Sequence, residues 1–125
     1  MKIRVLGCGG SFGSPLAWGR NGNIDIHNPH NYRTRSSVLI SNNNQNILID
    51  TSPDLRFQLY KAKCTKIDAV LFTHEQSDHT AGLQDMRAMS LINKSIIPAY
   101  LAADIKESLT SNYKSIIEGV TSYST

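Results

Sequence analysis

The stretch FTHEQSDHTAGL, Phe72 to Leu83, places two histidines and two acids within His74–His79. Imidazole nitrogen and carboxylate oxygen are suitable zinc ligands at roughly 2.0–2.2 Å. The same donors suit manganese or iron. A centre of that kind lowers the pKa of water toward ~7 and supplies a hydroxide nucleophile. His74, Asp78 and His79 are the candidate metal ligands. They barely reach the roughly three protein donors of a catalytic site. A plainer reading stands beside this one. Ser77, Asp78 and Thr80 are good helix caps, and a histidine in a polar loop is often simply solvated.

The elements around this stretch must position it. Ile67 to Phe72 is nearly all apolar and reads as a buried strand. A helix is expected from about Ala81 toward Leu91, weakened by Gly82 near its start. If the chain stays extended after the strand, His74 and Gln76 face one point. Asp78 and His79 then approach that point from the turn into the helix. Upstream, Ser37–Ser41 and Asn46–Asp50 flank the polar run NNNQ and read as a hairpin. TSPDLRFQLY opens a helix: Ser52 can cap, Pro53 suits the first turn, and Asp54 favours the positive end of the dipole. Leu55 and Leu59 share one face, with Phe57 off it.

Ile3 to Leu6 is a short strand stopped by Gly7, Gly9 and Gly10. Cys8 to Arg35 shows no period, and a loop of that length is usually functional or disordered. Ile96 to Leu101 reads as an edge strand or strand start because of Pro98. Ile105, Leu109, Tyr113 and Ile116 recur at helical spacing. The order implies an α+β fold, a mixed sheet with helices on one face. The second face needs cover that this chain does not supply.

Composition sets the outer bounds. The 125 residues fit one domain and can bury roughly two thirds of their unfolded surface. At 40% hydrophobic and 18% charged residues the chain is globular. A net charge of +3 suits anionic substrates without demanding nucleic acid. Cys8 and Cys64 are too far apart for a CxxC pair and read as reduced thiols, which favours the cytoplasm. No signal peptide and no membrane span are expected.

Two further features invite chemistry. The long loop carries Arg20, His27, His30, Arg33 and Arg35, which would meet a phosphate if they converged. A solvated loop is the preferred reading, and His27 with His30 is weak grounds for a second metal site. GCGGSFG fits part of a dinucleotide fingerprint, but Phe12 takes the third glycine position and no helix follows, so that reading fails. For Cys8 a small buried apolar role is expected.

THEQSDHTAGL resembles the THxHxDHxxGL signature of the metallo-β-lactamase superfamily. IRVLGCGGSFGSP, NILIDTSPDLRFQL and IDAVLFTH resemble the first strand and glycine loop, the strand and helix supporting the metal loop, and the strand carrying the first ligand. The likeness covers most of residues 1–103 and is nearest to the phosphodiesterase-like branch, relatives of ribonuclease Z and of the cyclic phosphodiesterase of phosphonate metabolism. It implies the N-terminal half of an αββα sandwich, with residues 1–125 as a single half-domain. It further implies that His74 is the first ligand, that Asp78 and His79 serve the second metal, and that Asp50 orients an imidazole. Asp78 is also the candidate catalytic residue. Gln76 stands at the second histidine position as a degraded ligand, because its neutral amide binds zinc less well than imidazole. The family's later histidines and bridging aspartate have no counterpart here: no histidine follows His79, and Asp85 and Asp104 are the later aspartates.

Three functions follow as expectations. The first is a metal-dependent phosphodiester hydrolase completed by further donors. The second is a shortened, catalytically impaired form binding one ion or none. The third is a non-enzymatic half-fold that homodimerises or pairs with a separate C-terminal half.

Overall fold

The computed structural model describes residues 1–19 and 21–121, with side chains through residue 117. Arg20 of the long loop lies outside the described residues. Five strands form one sheet in sequential order: β1 Lys2–Gly7, β2 Ser37–Asn42, β3 Gln45–Ile49, β4 Ala69–Leu71 and β5 Ala99–Tyr100. The pairs β1–β2 and β2–β3 are antiparallel, while β3–β4 and β4–β5 are parallel. The sheet is therefore mixed, as expected. The helices are α1 Leu55–Lys61, α2 Ser77–Thr80, α3 Leu83–Asn93, α4 Ala103–Asn112 and α5 Lys114–Thr121.

The β2–β3 hairpin turns at Asn43 and Asn44, both with positive φ (48° and 62°). A two-residue turn with both φ values positive matches the right-handed twist of the strands, and asparagine tolerates that region. The register then pairs Leu39 with Leu48 and Ile40 with Ile47. Strand alternation sends Leu39, Leu48 and Val70 to one face. There they join Leu55, Leu59, Met86 and Leu109 in the core. Phe57 stays exposed on α1, as its offset from Leu55 and Leu59 predicts.

The other face carries Ile3, Val5, Val38, Ile40, Ile47, Ile49, Leu71 and Tyr100. Ile3 and Val5 are 61% and 62% exposed, and Tyr100 is 59% exposed. No described element covers it. The apolar run Ile67–Phe72 thus divides: Ile67, Val70 and Phe72 are buried, whereas Leu71 points to the open face.

Residues 8–36 lack regular strands but are fastened. Gly9 bridges Arg35 and Ser14 bridges Arg33, and Pro29–Asn31 forms a short 3-10 turn. Gly7 is required by close approach: a Cβ there would collide with the Arg35 carbonyl and the Gln58 amide. Cys8 is exposed, which corrects the expected buried role; the turn at Gly7 and Gly9 aims it outward. The helix from Ile105 to Ile116 is split at Tyr113 into α4 and α5, yet Ile105, Leu109, Tyr113 and Ile116 all pack on the core.

Candidate metal centre

β3 and β4 run parallel, so their C-terminal ends lie together. Asp50 follows β3, and Thr73 and His74 follow β4. Asp50 takes φ 61°, a left-handed conformation that aspartate tolerates better than most residues. Its backbone is held on both sides: Asp50 N–H donates to Leu71 O at 2.9 Å, and Ser37 Oγ donates to Asp50 O at 2.9 Å. The following turn is strapped to the histidine loop. Thr51 N–H donates to His79 O at 2.8 Å, and Gly82 N–H donates to Thr51 O at 2.9 Å. A Cβ on Gly82 would sit 2.9 Å from Leu55 Cβ and strike the Ser52 carbonyl, so this approach needs glycine.

The buried Asp50 carboxylate organises the site. Oδ1 accepts from Thr73 N–H at 2.8 Å. Oδ2 accepts from Thr73 Oγ1 at 2.7 Å and lies 2.7 Å from His79 Nδ1. Carboxylate is acceptor-only when ionised, so His79 Nδ1 carries the proton in this bond. Thr73 donates its hydroxyl proton to Asp50 and must therefore accept from His74 Nδ1, 2.9 Å away. Both imidazoles are thus fixed as Nδ1–H tautomers with lone pairs on Nε2. Their rings lie 3.8 Å apart between centroids, tilted by 55°.

Donor atoms of Asp50, His74 and His79 fall within 4.8 Å of one another. Asp50 already accepts three hydrogen bonds at its roughly four lone-pair sites, so it holds the imidazoles in place from within the donor group. Asp78 stands outside that group but places Oδ2 at 3.2 Å from His79 Nε2. A lone pair and a carboxylate facing each other repel unless a cation or proton lies between them. Imidazole nitrogens and carboxylate oxygens of this kind fit a divalent ion, and Asp50, His74 and His79 are the group whose donor atoms lie close together.

Gln76 is exposed, and its side chain makes no hydrogen bond among the described residues. Its carbonyl starts α2, accepting from His79 N–H at 2.9 Å and Thr80 Oγ1 at 3.1 Å. Asp54 does not cap α1 with its side chain; instead it pairs with Arg35 at 2.9 Å. Ser52 Oγ accepts from Asp54 N–H at 3.1 Å and donates to buried Gln58 at 2.8 Å. His27 and His30 are exposed and belong to no donor group among the described residues. Thr73 is the residue that sequence reasoning passes over. Its signal is its place between the strand and the first histidine.

Residues 45–122 match the profile of the β-lactamase superfamily domain. The chain belongs to the metallo-β-lactamase superfamily. A diphosphatase of the PhnP family is 32% identical with a TM-score of 0.81, over 93% of this chain and 47% of that one. Zn(2+)-bound PqqB from Methylobacterium extorquens is 25% identical with a TM-score of 0.70, over 90% of this chain and 41% of that one. An octanoyltransferase of Porphyromonas gingivalis (strain ATCC BAA-308 / W83) is 41% identical over 90 residues, 71% of this chain and 18% of that protein. This chain therefore spans about half of the superfamily diphosphatase and a small part of the octanoyltransferase. The superfamily is metal-dependent.

Proposed function

We propose that this chain contributes the first part of a zinc-dependent centre that cleaves phosphodiester or diphosphate bonds. The observation that carries the reading is the Asp50–Thr73 relay, which turns His74 Nε2 and His79 Nε2 into acceptors, the latter 3.2 Å from Asp78. A bound divalent ion polarises a phosphoryl oxygen and acidifies water. His74, Asp78 and His79 would hold it, with Asp78 also the candidate catalytic carboxylate. Asp50 orients the rings. At the second histidine position Gln76 offers a weaker, neutral donor. Manganese or iron are the alternative ions. The likeness to a PhnP-family diphosphatase supports the substrate class, and that to Zn(2+)-bound PqqB supports zinc.

The superfamily pattern supplies further donors beyond these three, so turnover is expected to need them from another chain or from further sequence. These 125 residues are read as the N-terminal half-domain of the sandwich, impaired when alone. Two free cysteines support a reducing compartment such as the cytoplasm. Among the described residues no helix is long and apolar enough to cross a membrane.

Calorimetric titration with Zn²⁺ and hydrolysis of bis(p-nitrophenyl) phosphate test the reading together. One weak site is expected, lost in His79→Ala and tightened in Gln76→His, with turnover near the buffer rate. Zinc binding indifferent to His79→Ala would refute the site. Full turnover by the chain alone would refute its incompleteness.

The open sheet face favours a second reading, in which the chain acts by association. A contiguous apolar face of this kind marks an interface. A second copy related by a two-fold axis, or a complementary C-terminal half, would cover it.

A further inference from the structure

A cleft of about 1060 Å³ lies between the long loop, β1 and α1, and none of Asp50, His74, Asp78 or His79 lines it. Its walls combine two chemistries. Arg4, Arg33 and Lys61 supply positive charge, and Phe12, Tyr32 and Phe57 supply aromatic rings. The single lining carboxylate, Asp54, is already paired with Arg35 at 2.9 Å. Among the described residues, no ion pair neutralises Arg4, Arg33 or Lys61.

The cations are placed rather than loose. Arg4 Nη1 donates to Ala62 O at 3.2 Å, and Arg33 Nη1 donates to Tyr32 O at 2.9 Å. Each guanidinium keeps further N–H donors for an anion. Lys61 Nζ stands 5.4 Å from the centroid of the Phe57 ring. Phe12 is braced edge-on by Trp18, with centroids 5.6 Å apart, yet remains 67% exposed. Tyr32 is 55% and Phe57 54% exposed. Leaving three rings wet on one concavity costs hydrophobic stabilisation. A planar ligand stacked on them recovers it, and its phosphate would satisfy the three cations.

We propose that this cleft binds a nucleoside phosphate, with the base on the aromatic wall and the phosphates on Arg4, Arg33 and Lys61. The site goes beyond the metal reading and does not depend on it.

The test is equilibrium binding of adenosine 5′-diphosphate to the full chain in EDTA, which removes any contribution from a metal. Arg33→Ala and Phe57→Ala alter exposed side chains, and circular dichroism confirms that they fold. Each is expected to weaken binding by about tenfold, since charged hydrogen bonds and base stacking are each of that order. Adenosine and inorganic phosphate, tested separately, are each expected to bind at least about tenfold more weakly than the diphosphate. Equal binding of inorganic phosphate and the diphosphate would overturn the proposal, because the rings would then read nothing. So would binding unaffected by both substitutions. Affinity that rises with length across RNA oligomers would also overturn it, in favour of a single-strand track.

Discussion

Asp50 is the residue on which the histidine geometry turns. One carboxylate fixes His79 directly and His74 through Thr73. Asp50→Asn keeps the shape and tolerates the positive φ, but it weakens acceptance from His79 Nδ1–H. Metal affinity by calorimetry should fall about 10- to 100-fold, the usual effect of losing a partner that orients a ligand. Asp50→Ala should add roughly 1–2 kcal/mol of folding cost, because alanine resists the left-handed region. Thermal unfolding of both variants separates the two effects. If zinc binds Asp50→Asn as tightly as the parent, the carboxylate relay is irrelevant to the site. Cys64 shows the opposite case of a residue without chemistry. Burial, reinforced by the charge of Asp68, raises its thiol pKa, so it is a poor nucleophile.

At the scale of elements, the centre exists because β3 and β4 are held in parallel register. Asp68 does part of this. Its carboxylate accepts from Asn46 N–H at 2.7 Å and pairs with Lys66 at 2.8 Å, joining the start of β3 to the entrance of β4. The Lys66 hydrogen bond, followed by the Asn46 N–H, lowers the Asp68 pKa below its usual value. A lowered folded-state pKa stabilises the fold above the unfolded value, about 3.9. That contribution disappears as pH falls through the folded value. Urea midpoints of the parent and Asp68→Asn should therefore differ at pH 7 and pH 5 and draw together below about pH 4. A constant gap across that range would show that Asp68 does not carry this pH dependence. The pair is partly exposed, so salt should shrink the effect.

For the whole molecule, the decisive feature is the contrast between the two sheet faces. One is sealed by Leu55, Leu59, Met86 and Leu109, while the other leaves Ile3, Val5 and Tyr100 in water. Self-association through that face predicts a dimer at micromolar concentration in sedimentation velocity. Val5→Lys should dissociate it, since burying an unpaired ammonium is unfavourable. A parent chain that sediments as a monomer would rule out the second copy. The complementary half would then remain as the covering partner in this reading. Val5 also lines the edge of the basic aromatic cleft, so nucleotide binding is measured on the parent chain and not on Val5→Lys.

The sequence determined whatever depends on neighbours in the chain. Two apolar runs on either side of the polar run NNNQ dictate the hairpin, and its turn falls on two asparagines with positive φ. Leu55 and Leu59 dictate the buried side of α1. The ordered motifs around His74, Asp78 and His79 disclose the superfamily. Tertiary structure alone decided the rest. Parallel pairing of β3 and β4 joins Asp50 to Thr73, across 23 residues of chain, and that contact sets both histidine tautomers. Folding of the aperiodic loop against α1 gathered Arg33 and Tyr32 with Phe57 and Lys61. Such gatherings have no local period, so no spacing along the chain announces them.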